Sequence, residues 1–301
     1  MRPGHGIDPA ELPTPDVLDR LASHLGLATG QEVLSLDWLP AVELPGGGRM
    51  HCPADLCLRR VMPARSSVVA PSEGMGAGRT FEAAALQGLL ELIERDAAAL
   101  WWIGGRRPRM IDSATLDACG LPQLLSRLRG SAGSRITHVL DITSDLGLPC
   151  VAAWSATSAN SHFACGLAAR PRMEDALRSA LIEMCAMEIN FELPGSKVPE
   201  WRRRSVPDDP ILSGLEPSEL RPGAPLPLVD RSLRDIGSLL HNRGLLTIAV
   251  DLTRLELGIP AVKVLVPGLQ PMTTAITAER LGRTIAACGG GKLQGLGLSL
   301  L

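Results

Sequence analysis

Tyrosine is absent from the 301 residues and phenylalanine occurs three times, an absence that by itself excludes no class of function. Other absences exclude more. No apolar run reaches the roughly 18 residues that a membrane-spanning helix needs. The opening dozen residues contain Pro3, Gly4, Gly6 and Pro9 instead of a charged-then-apolar signal. Neither charge sign is in excess: 30 basic residues stand against 32 acidic ones, so no long-range field draws the chain to nucleic acid or to a membrane surface. There is no Cys-x-x-Cys pair. The cysteines number seven and are scattered, the usage of a reducing compartment and not of a disulfide framework, and a cytoplasmic protein is expected. His51, Cys52 and Cys57 lie close together, but a four-ligand zinc site needs a second half that the chain does not supply. No P-loop Gly-Lys-Ser/Thr occurs, and no Ser-His-Asp or Cys-His spacing marks a protein nucleophile.

What is present is an ordinary globular composition, 45% apolar, enough for a sizeable core. Residues 1–62 read as a small N-terminal segment, with a helix over 16–27, a strand over 32–36 and a Gly-rich turn at 46–48. From residue 63 onward the pattern is denser. Strand-like runs at 68–70, 136–142, 150–154, 246–252 and 261–266 alternate with long helical runs, which predicts a mixed α/β domain over 63–301, with sheets and packed helices.

The sequence also repeats itself. A shift of 92 residues carries Gly74 to Gly166 and Glu91 to Glu183, and brings Asp96 onto Glu188. A second repeat links Asp141-Ile142-Thr143, followed by Gly147-Leu148-Pro149, to Asp251-Leu252-Thr253, followed by Gly258-Ile259-Pro260. Two duplicated strand-and-helix units facing each other would place Glu91 and Glu183 at matching positions across a shared cleft. Asp141 and Asp251 read as turn or capping residues. His138 reads as a satisfied sheet histidine, and Trp101 and Trp102 as core or cleft wall.

Residues 80–102 carry helix formers almost throughout, with Thr80 as N-cap and apolar side chains around most of the circumference. Gln87, Gly88, Glu91, Glu94 and Arg95 fall within a stripe about 120 degrees wide. Burying these charges alone would cost several kcal/mol each, so they must be paired, hydrated or metal-loaded. Carboxylates at i and i+3, joined by a third, suit Mg²⁺ shared with phosphates. A second helix over 172–191 lines up Asp175, Ser179, Glu183 and Asn190. The competing reading makes Glu91 and Arg95 an i, i+4 ion pair, with Glu94 and Glu183 on solvated edges. Ahead of the first helix stands Ser72-Glu73-Gly74-Met75-Gly76-Ala77-Gly78, either a plain turn or a place where a phosphate meets backbone N–H groups at a helix start.

This stretch, together with Gly88-Leu89-Leu90-Glu91-Leu92-Ile93-Glu94-Arg95-Asp96 and Trp101-Trp102, resembles the first signature of the YcaO family. Val250-Asp251-Leu252-Thr253-Arg254, Gly258-Ile259-Pro260 and Val266-Pro267-Gly268-Leu269 resemble its C-terminal half. The resemblance spans about residues 52–271 and implies a YcaO-like fold with internal duplication. It also implies an ATP- and Mg²⁺-dependent enzyme acting on a ribosomal precursor peptide. In azole-forming members a Cys, Ser or Thr side chain attacks the preceding amide carbonyl, whose oxygen leaves as phosphate to give an azoline. Other members make thioamides or amidines. The resemblance assigns Ser72, Gly74, Glu91, Glu94, Arg95 and Glu183 to the nucleotide. Glu91, Glu94 and Glu183 are assigned to the metal, with Asp175 as a further metal candidate.

Two departures stand out. The second signature usually reads Glu-x-x-Gln, where this chain has Glu183-Met184-Cys185-Ala186. The proline-rich tail of many azole-forming members is replaced by Gly295-Leu296-Gly297-Leu298-Ser299-Leu300-Leu301. They support a second reading, a peptide- or partner-binding module that keeps the fold without turnover. The short N-terminal segment further implies a separate leader-peptide-binding partner protein, and the family a homodimer.

Overall fold

The computed structural model describes residues 7–25, 27–58, 72–130, 135–157, 161–193, 231–272 and 278–290. The chain divides into two compact units, Met1–Leu92 with Arg231–Ala278, and Ile93–Asp230 with Glu279–Leu301.

In the first unit, helix α1 (Pro15–Leu25) and the single turn α2 (Gly30–Val33) precede the hairpin β1 (Trp38–Leu44) and β2 (Arg49–Pro53). Strand β3 (Met75–Ala77) leads into α3 (Phe81–Trp102), whose residues from Ile93 onward count with the second unit. Helix α7 (Leu233–His241) and strands β8 (Thr247–Asp251) and β9 (Ala261–Leu265) complete the first unit. Its sheet runs β2-β1-β8-β9-β3, every neighbour antiparallel. Leu18, Leu21 and Leu25 of α1 pack on Trp38, Cys52, Ile248 and Val250 to form the core.

The second unit holds β4 (Arg109–Met110), α4 (Ser113–Ala118) and α5 (Leu121–Arg129). Then follow β5 (Arg135–Asp141), β6 (Cys150–Thr157), β7 (Ala164–Ala169), α6 (Met173–Glu192) and, near the end of the chain, α8 (Glu279–Cys288). Its antiparallel sheet runs β4-β5-β6-β7. Ala176, Leu177, Ala180, Leu181 and Met184 of α6 pack with Val151, Ala153, Ala164 and Ala168, so β6 and β7 are buried along nearly their whole length. That burial explains their apolar, small-residue sequences.

The duplication is physical. Each unit holds a four-strand order, β1-β8-β9-β3 and β4-β5-β6-β7, whose last strand leads into a long helix. In each, the two middle strands are joined by the Asp-x-Thr…Gly-x-Pro turn. Thr143 N–H donates to Asp141 Oδ1 at 2.8 Å and Cys150 N–H to Thr143 Oγ1 at 3.0 Å. Thr253 N–H donates to Asp251 Oδ1 at 2.9 Å and Ala261 N–H to Thr253 Oγ1 at 3.1 Å. Gly147 and Gly258 take the left-handed φ that the reversal requires, 67° and 62°. Chain order differs between the copies. In the second unit the hairpin runs straight on into its strand and helix, whereas in the first the strand and helix come earlier in sequence than the hairpin.

Three sequence expectations change. The segment 1–62 is no separate prelude to its unit: β1 pairs with β8 through Val42, Glu43 and Leu44, because the sheet needs those strands to cover its core. The strand expected over 32–36 is instead the turn α2 with the residues after it, fixed where Gly30 N–H donates to Asp19 Oδ1 of α1 at 2.8 Å. The glycine stretch before α3 is not a bare turn but strand β3, paired with Ala261, Val262 and Lys263. The strand expected at 68–70 and the C-terminal segment 291–301 lie outside the described residues.

Candidate functional site

Glycines at the strand–helix junctions let the backbones touch. A Cβ on Gly76 would lie 2.0 Å from Ala84 O, and one on Gly166 would lie 2.1 Å from Ala180 O. Neither space exists for any side chain. At this distance each long helix can hand a glutamate to the backbone that leads into it. Glu91 Oε2 accepts the Gly74 N–H at 2.9 Å, and Glu183 Oε2 accepts the Leu167 N–H at 2.9 Å. The carboxylates that the sequence repeat aligns are thus each held by a backbone amide, Gly74 in the turn before β3 and Leu167 within β7, one residue out of register with the repeat, and both are half-buried.

Around Glu91 the turn is braced further. Ser72 is exposed at its mouth, with its carbonyl accepting the Met75 N–H at 3.2 Å. Gly74 is buried, its amide serving Glu91 and its carbonyl accepting Val264 N–H of β9 at 2.8 Å. Lys263 of β9 is 1% exposed, and its Nζ donates to Glu73 O at 2.6 Å. Burial pushes the Lys263 ammonium below its ordinary value, against the pull of the Cys57 and Cys52 thiols and the Glu73 and Glu91 carboxylates. Lys263, Glu73, His24 and Gln270 line a pocket of about 40 Å³. Sequence reasoning missed Lys263. Its signal was one lysine inside the apolar strand Ala261-Val262-Lys263-Val264-Leu265.

One turn after Glu91, Glu94 is 8% exposed, and Arg95 Nη2 lies 3.6 Å from Glu94 Oε1. On α6, Asp175 sits in the first turn, half-exposed, 3.8 Å from Arg172 Nε. Ala186, one turn after Glu183, is exposed. Among the described residues no group of three or more His, Cys, Asp or Glu side chains gathers closely enough to hold a metal ion unaided.

The acids that the repeat aligns farther along the helices are both locked by arginine. Asp96 receives Arg280 Nη2 at 2.9 Å, and Glu188 receives Arg129 Nε at 2.9 Å with Arg135 Nε at 3.3 Å. Burial works against the Glu188 carboxylate, but hydrogen bonds from Arg129 and Ser155 and the charges of Arg129 and Arg135 outweigh it and hold the carboxyl below its usual range. Burial also pushes the Cys52 and Cys150 thiols up, and the Cys185 thiol to about 11, so none of the three is poised as a thiolate nucleophile. His138 stacks on Trp154 with ring centroids 5.2 Å apart, Trp101 and Trp102 are buried, and His51 Nδ1 faces Glu11 at 3.3 Å.

The sequence matches the family described as YcaO cyclodehydratase, ATP- and Mg²⁺-binding, over residues 1–270. The chain belongs to the YcaO family. ATP and Mg²⁺ are the ligands of that family. An uncharacterized protein of Methanothermobacter thermautotrophicus is 29% identical over 276 residues, 83% of this chain and 69% of the relative. The fold is similar to a heterocyclase solved in complex with substrate and cofactor, with a TM-score of 0.68 and 26% identity over 85% of this chain and 36% of that one. It is also similar to the heterocyclase TruD, with a TM-score of 0.65 and 28% identity over 85% and 37% of the two chains. The chain therefore spans little more than a third of the length of these two heterocyclases. YcaO from Methanopyrus kandleri, solved bound with AMPPCP and Mg²⁺, shares the fold at a TM-score of 0.57 and 24% identity over 77% of this chain and 64% of that one.

The residues present fit those ligands. Glu91, Glu94 and Glu183 are hard oxygen donors of the kind Mg²⁺ takes one or two at a time beside phosphate and water, and Arg95 offers a planar fork for phosphate oxygens. No helix among the described residues is long and apolar enough to cross a membrane.

Proposed function

We propose that this chain is an ATP- and Mg²⁺-dependent cyclodehydratase that forms azolines from Cys, Ser or Thr residues of a ribosomal precursor peptide. The observation that carries this reading is a helix glutamate held on a backbone amide in each unit, Glu91 on the turn residue Gly74 and Glu183 on Leu167 of β7. A carboxylate fixed this way keeps its direction without spending rotamer entropy when a cation arrives. Glu91, Glu94 and Glu183 are the proposed Mg²⁺ ligands, with Asp175 as an outer contributor. Arg95 and the exposed Ser72 are the proposed phosphate contacts, and Gly74 serves the nucleotide through its hold on Glu91. When bound, ATP supplies the phosphoryl group that turns the amide oxygen into a leaving group. The chain's own work is positioning and electrostatic stabilisation. A separate protein presenting the peptide leader is part of this reading. The same fold occurs in the E. coli microcin synthetase McbBCD complex with pro-MccB17 bound, at a TM-score of 0.58 and 16% identity.

One observation favours a second reading. Ala186 stands exposed where the family pattern has Gln, which removes a polar contact and suits a binding module without turnover. Calorimetry with ATP and Mg²⁺ separates the two. Glu91→Gln and Glu183→Gln keep an oxygen for the backbone amide and lose only charge, so the first reading expects micromolar binding that either substitution weakens at least about tenfold, some 1.4 kcal/mol. Absence of binding in the wild-type chain overturns that reading and leaves the binding module.

A further inference from the structure

The two copies of the duplicated unit grip their glutamates one residue apart, and one side chain marks the difference. A shift of 92 residues carries Met75 to Leu167. Met75 pairs with Lys263 of β9 and Leu167 with Ala152 of β6, so Lys263 and Ala152 occupy the same place in their sheets, and both are buried. The Asp-x-Thr turns give the same correspondence, because Thr143 takes the Cys150 N–H and Thr253 the Ala261 N–H, two residues before each. Where the second unit has Ala152, Glu183 takes the amide of Leu167 within β7. Where the first has Lys263, Glu91 passes over the matching Met75 and takes the amide of Gly74 in the turn before β3.

That amide belongs to the peptide group that Lys263 holds from its other end. Lys263 Nζ donates to Glu73 O at 2.6 Å, and Gly74 N–H donates to Glu91 Oε2 at 2.9 Å. One peptide plane thus lies between an ammonium and a carboxylate, its oxygen toward the cation and its hydrogen toward the anion. A peptide carries a dipole of about 3.5 D, and hydrogen bonds to charged groups are roughly twice as strong as neutral ones. Bonds in a chain also polarise one another, so a cation on the carbonyl makes the N–H a stronger donor. The plane is held against rotation as well. Gly74 has a φ of 81°, a Cβ on it would lie 2.3 Å from Val264 O, and its carbonyl accepts Val264 N–H at 2.8 Å. The Glu73 carboxylate accepts Met272 N–H at 3.3 Å, so backbone and side chain of residue 73 are both tied. The groups whose charge acts on Lys263 include the Glu73 and Glu91 carboxylates, with the Cys52 and Cys57 thiols and His24 of α1 beside them.

We infer that Lys263 is a positioning residue for Glu91: through the 73–74 peptide it holds the carboxylate on Gly74, one residue back from the register that Glu183 keeps. Its consequence for binding rests on the reading of Glu91 as a Mg²⁺ ligand, and Lys263 acts through the peptide and not by contact with the metal.

Two measurements on the full chain test it. The first follows the Gly74 amide proton by NMR in ligand-free protein labelled with ¹⁵N-glycine and ¹⁵N-leucine. Lys263→Met, similar in length and free of the cost of a buried charge, should move that proton upfield, toward its position in Glu91→Gln, and leave the Leu167 amide in place. Lys263→Gln, polar but uncharged, should do the same. Lys263→Arg, whose larger head has the adjoining pocket of about 40 Å³ to enter, should return it. The second is calorimetry with ATP and Mg²⁺. Groups that orient a metal's ligands are worth 10–100-fold in metal affinity, so Lys263→Met should raise the Mg²⁺ concentration for half-saturation about tenfold, while ATP affinity at saturating Mg²⁺ changes less than about threefold. Lys263→Arg should restore the Mg²⁺ dependence, whereas a general loss of structure would lower both affinities together and no conservative cation would recover them. A Gly74 proton unmoved in both neutral variants overturns the inference. So does a Mg²⁺ affinity that is unchanged, or one that tightens, which would make Lys263 a mere repulsive charge near the metal. A wild type that gives the Gly74 shifts yet binds no ATP with Mg²⁺ overturns the reading of Glu91 as a metal ligand and leaves Lys263 as the holder of its side chain.

Discussion

The first unit assembles its four common strands from three separated stretches of sequence, while the second takes β5, β6, β7 and α6 in a row. Even so, the same hydrogen bonds close both. The Asp-x-Thr turn and the glutamate that takes a backbone amide appear once in each, and glycines let strand and helix backbones meet in both. What has diverged lies one layer out. The acid on α3 is paired by an arginine of α8, that on α6 by arginines of α5 and β5, and one turn tip is covered while the other is exposed. Backbone groups buried without partners are costly wherever they stand, so the devices that satisfy them persist through a change of chain order. Arginine partners can be supplied from any neighbouring element.

That comparison can be broken at several depths. The largest effect is expected at the arginine-locked acids. Removing the buried acid of an ion pair leaves its arginine with only its remaining partners, Asp145 for Arg280 and Thr137 for Arg129, so Asp96→Ala and Glu188→Ala should each cost about 3 kcal/mol in urea unfolding, and a loss under about 1 kcal/mol at either would show that the two locks are not equivalent. Glu188 adds a pH signature. Its carboxyl is held below the ordinary value of 4.5, so its contribution is fully present above that pH and is lost as pH falls through the folded value. The stability gap between the wild type and Glu188→Gln should therefore narrow below about pH 4.5, and a gap that widens there would contradict the assignment.

Next come the junction glycines. Gly76→Ala and Gly166→Ala each drive a Cβ to within 2.0 and 2.1 Å of a helix carbonyl, and overpacking against backbone should cost about 3 kcal/mol in both units. Equal losses would show that strand and helix meet equally tightly in both units, whereas tolerance in one alone would confine the close approach to the other.

The smallest effect is the most discriminating. Thr143→Val strips the partner from the buried Cys150 N–H, while Thr253→Val strips it from the half-buried Ala261 N–H. Water can replace the second but not the first, so the expected losses are about 1–3 kcal/mol and under about 1 kcal/mol respectively. Identical values would mean that the two hairpins are equally dry.

Much of this was legible in the residues. Thr80 caps α3 through a hydrogen bond from Ala83 N–H at 3.2 Å, and the helix ends at Trp102 as its pattern predicts. Asp141 and Asp251 are the turn residues that their repeated setting suggested. The strand formed by the glycines before α3 was not legible, because Gly76 is met by Ala84 and Gly88 and Gly74 by Val264, residues whose approach no local pattern announces. The short turn α2 was missed for the same reason, since Asp19 of another element fixes it. Lys263 was passed over because one cation in an apolar strand gains meaning only when Glu73 arrives at its tip from far earlier in the chain.

The sequence by itself determined the periodicities and the turn chemistry, which depend on residues within a helical turn or a hairpin of one another, and the family and the helical positions of Glu91, Glu94, Arg95 and Glu183, which depend on the order of residues along the chain. Only the tertiary structure decided that one backbone amide in each unit takes a helix glutamate, that arginines distant in sequence lock Asp96 and Glu188, and that one of two matching turns is left exposed. Those outcomes depend on which surfaces meet, and close approach between distant segments is set by the packing of the whole unit and by no local propensity.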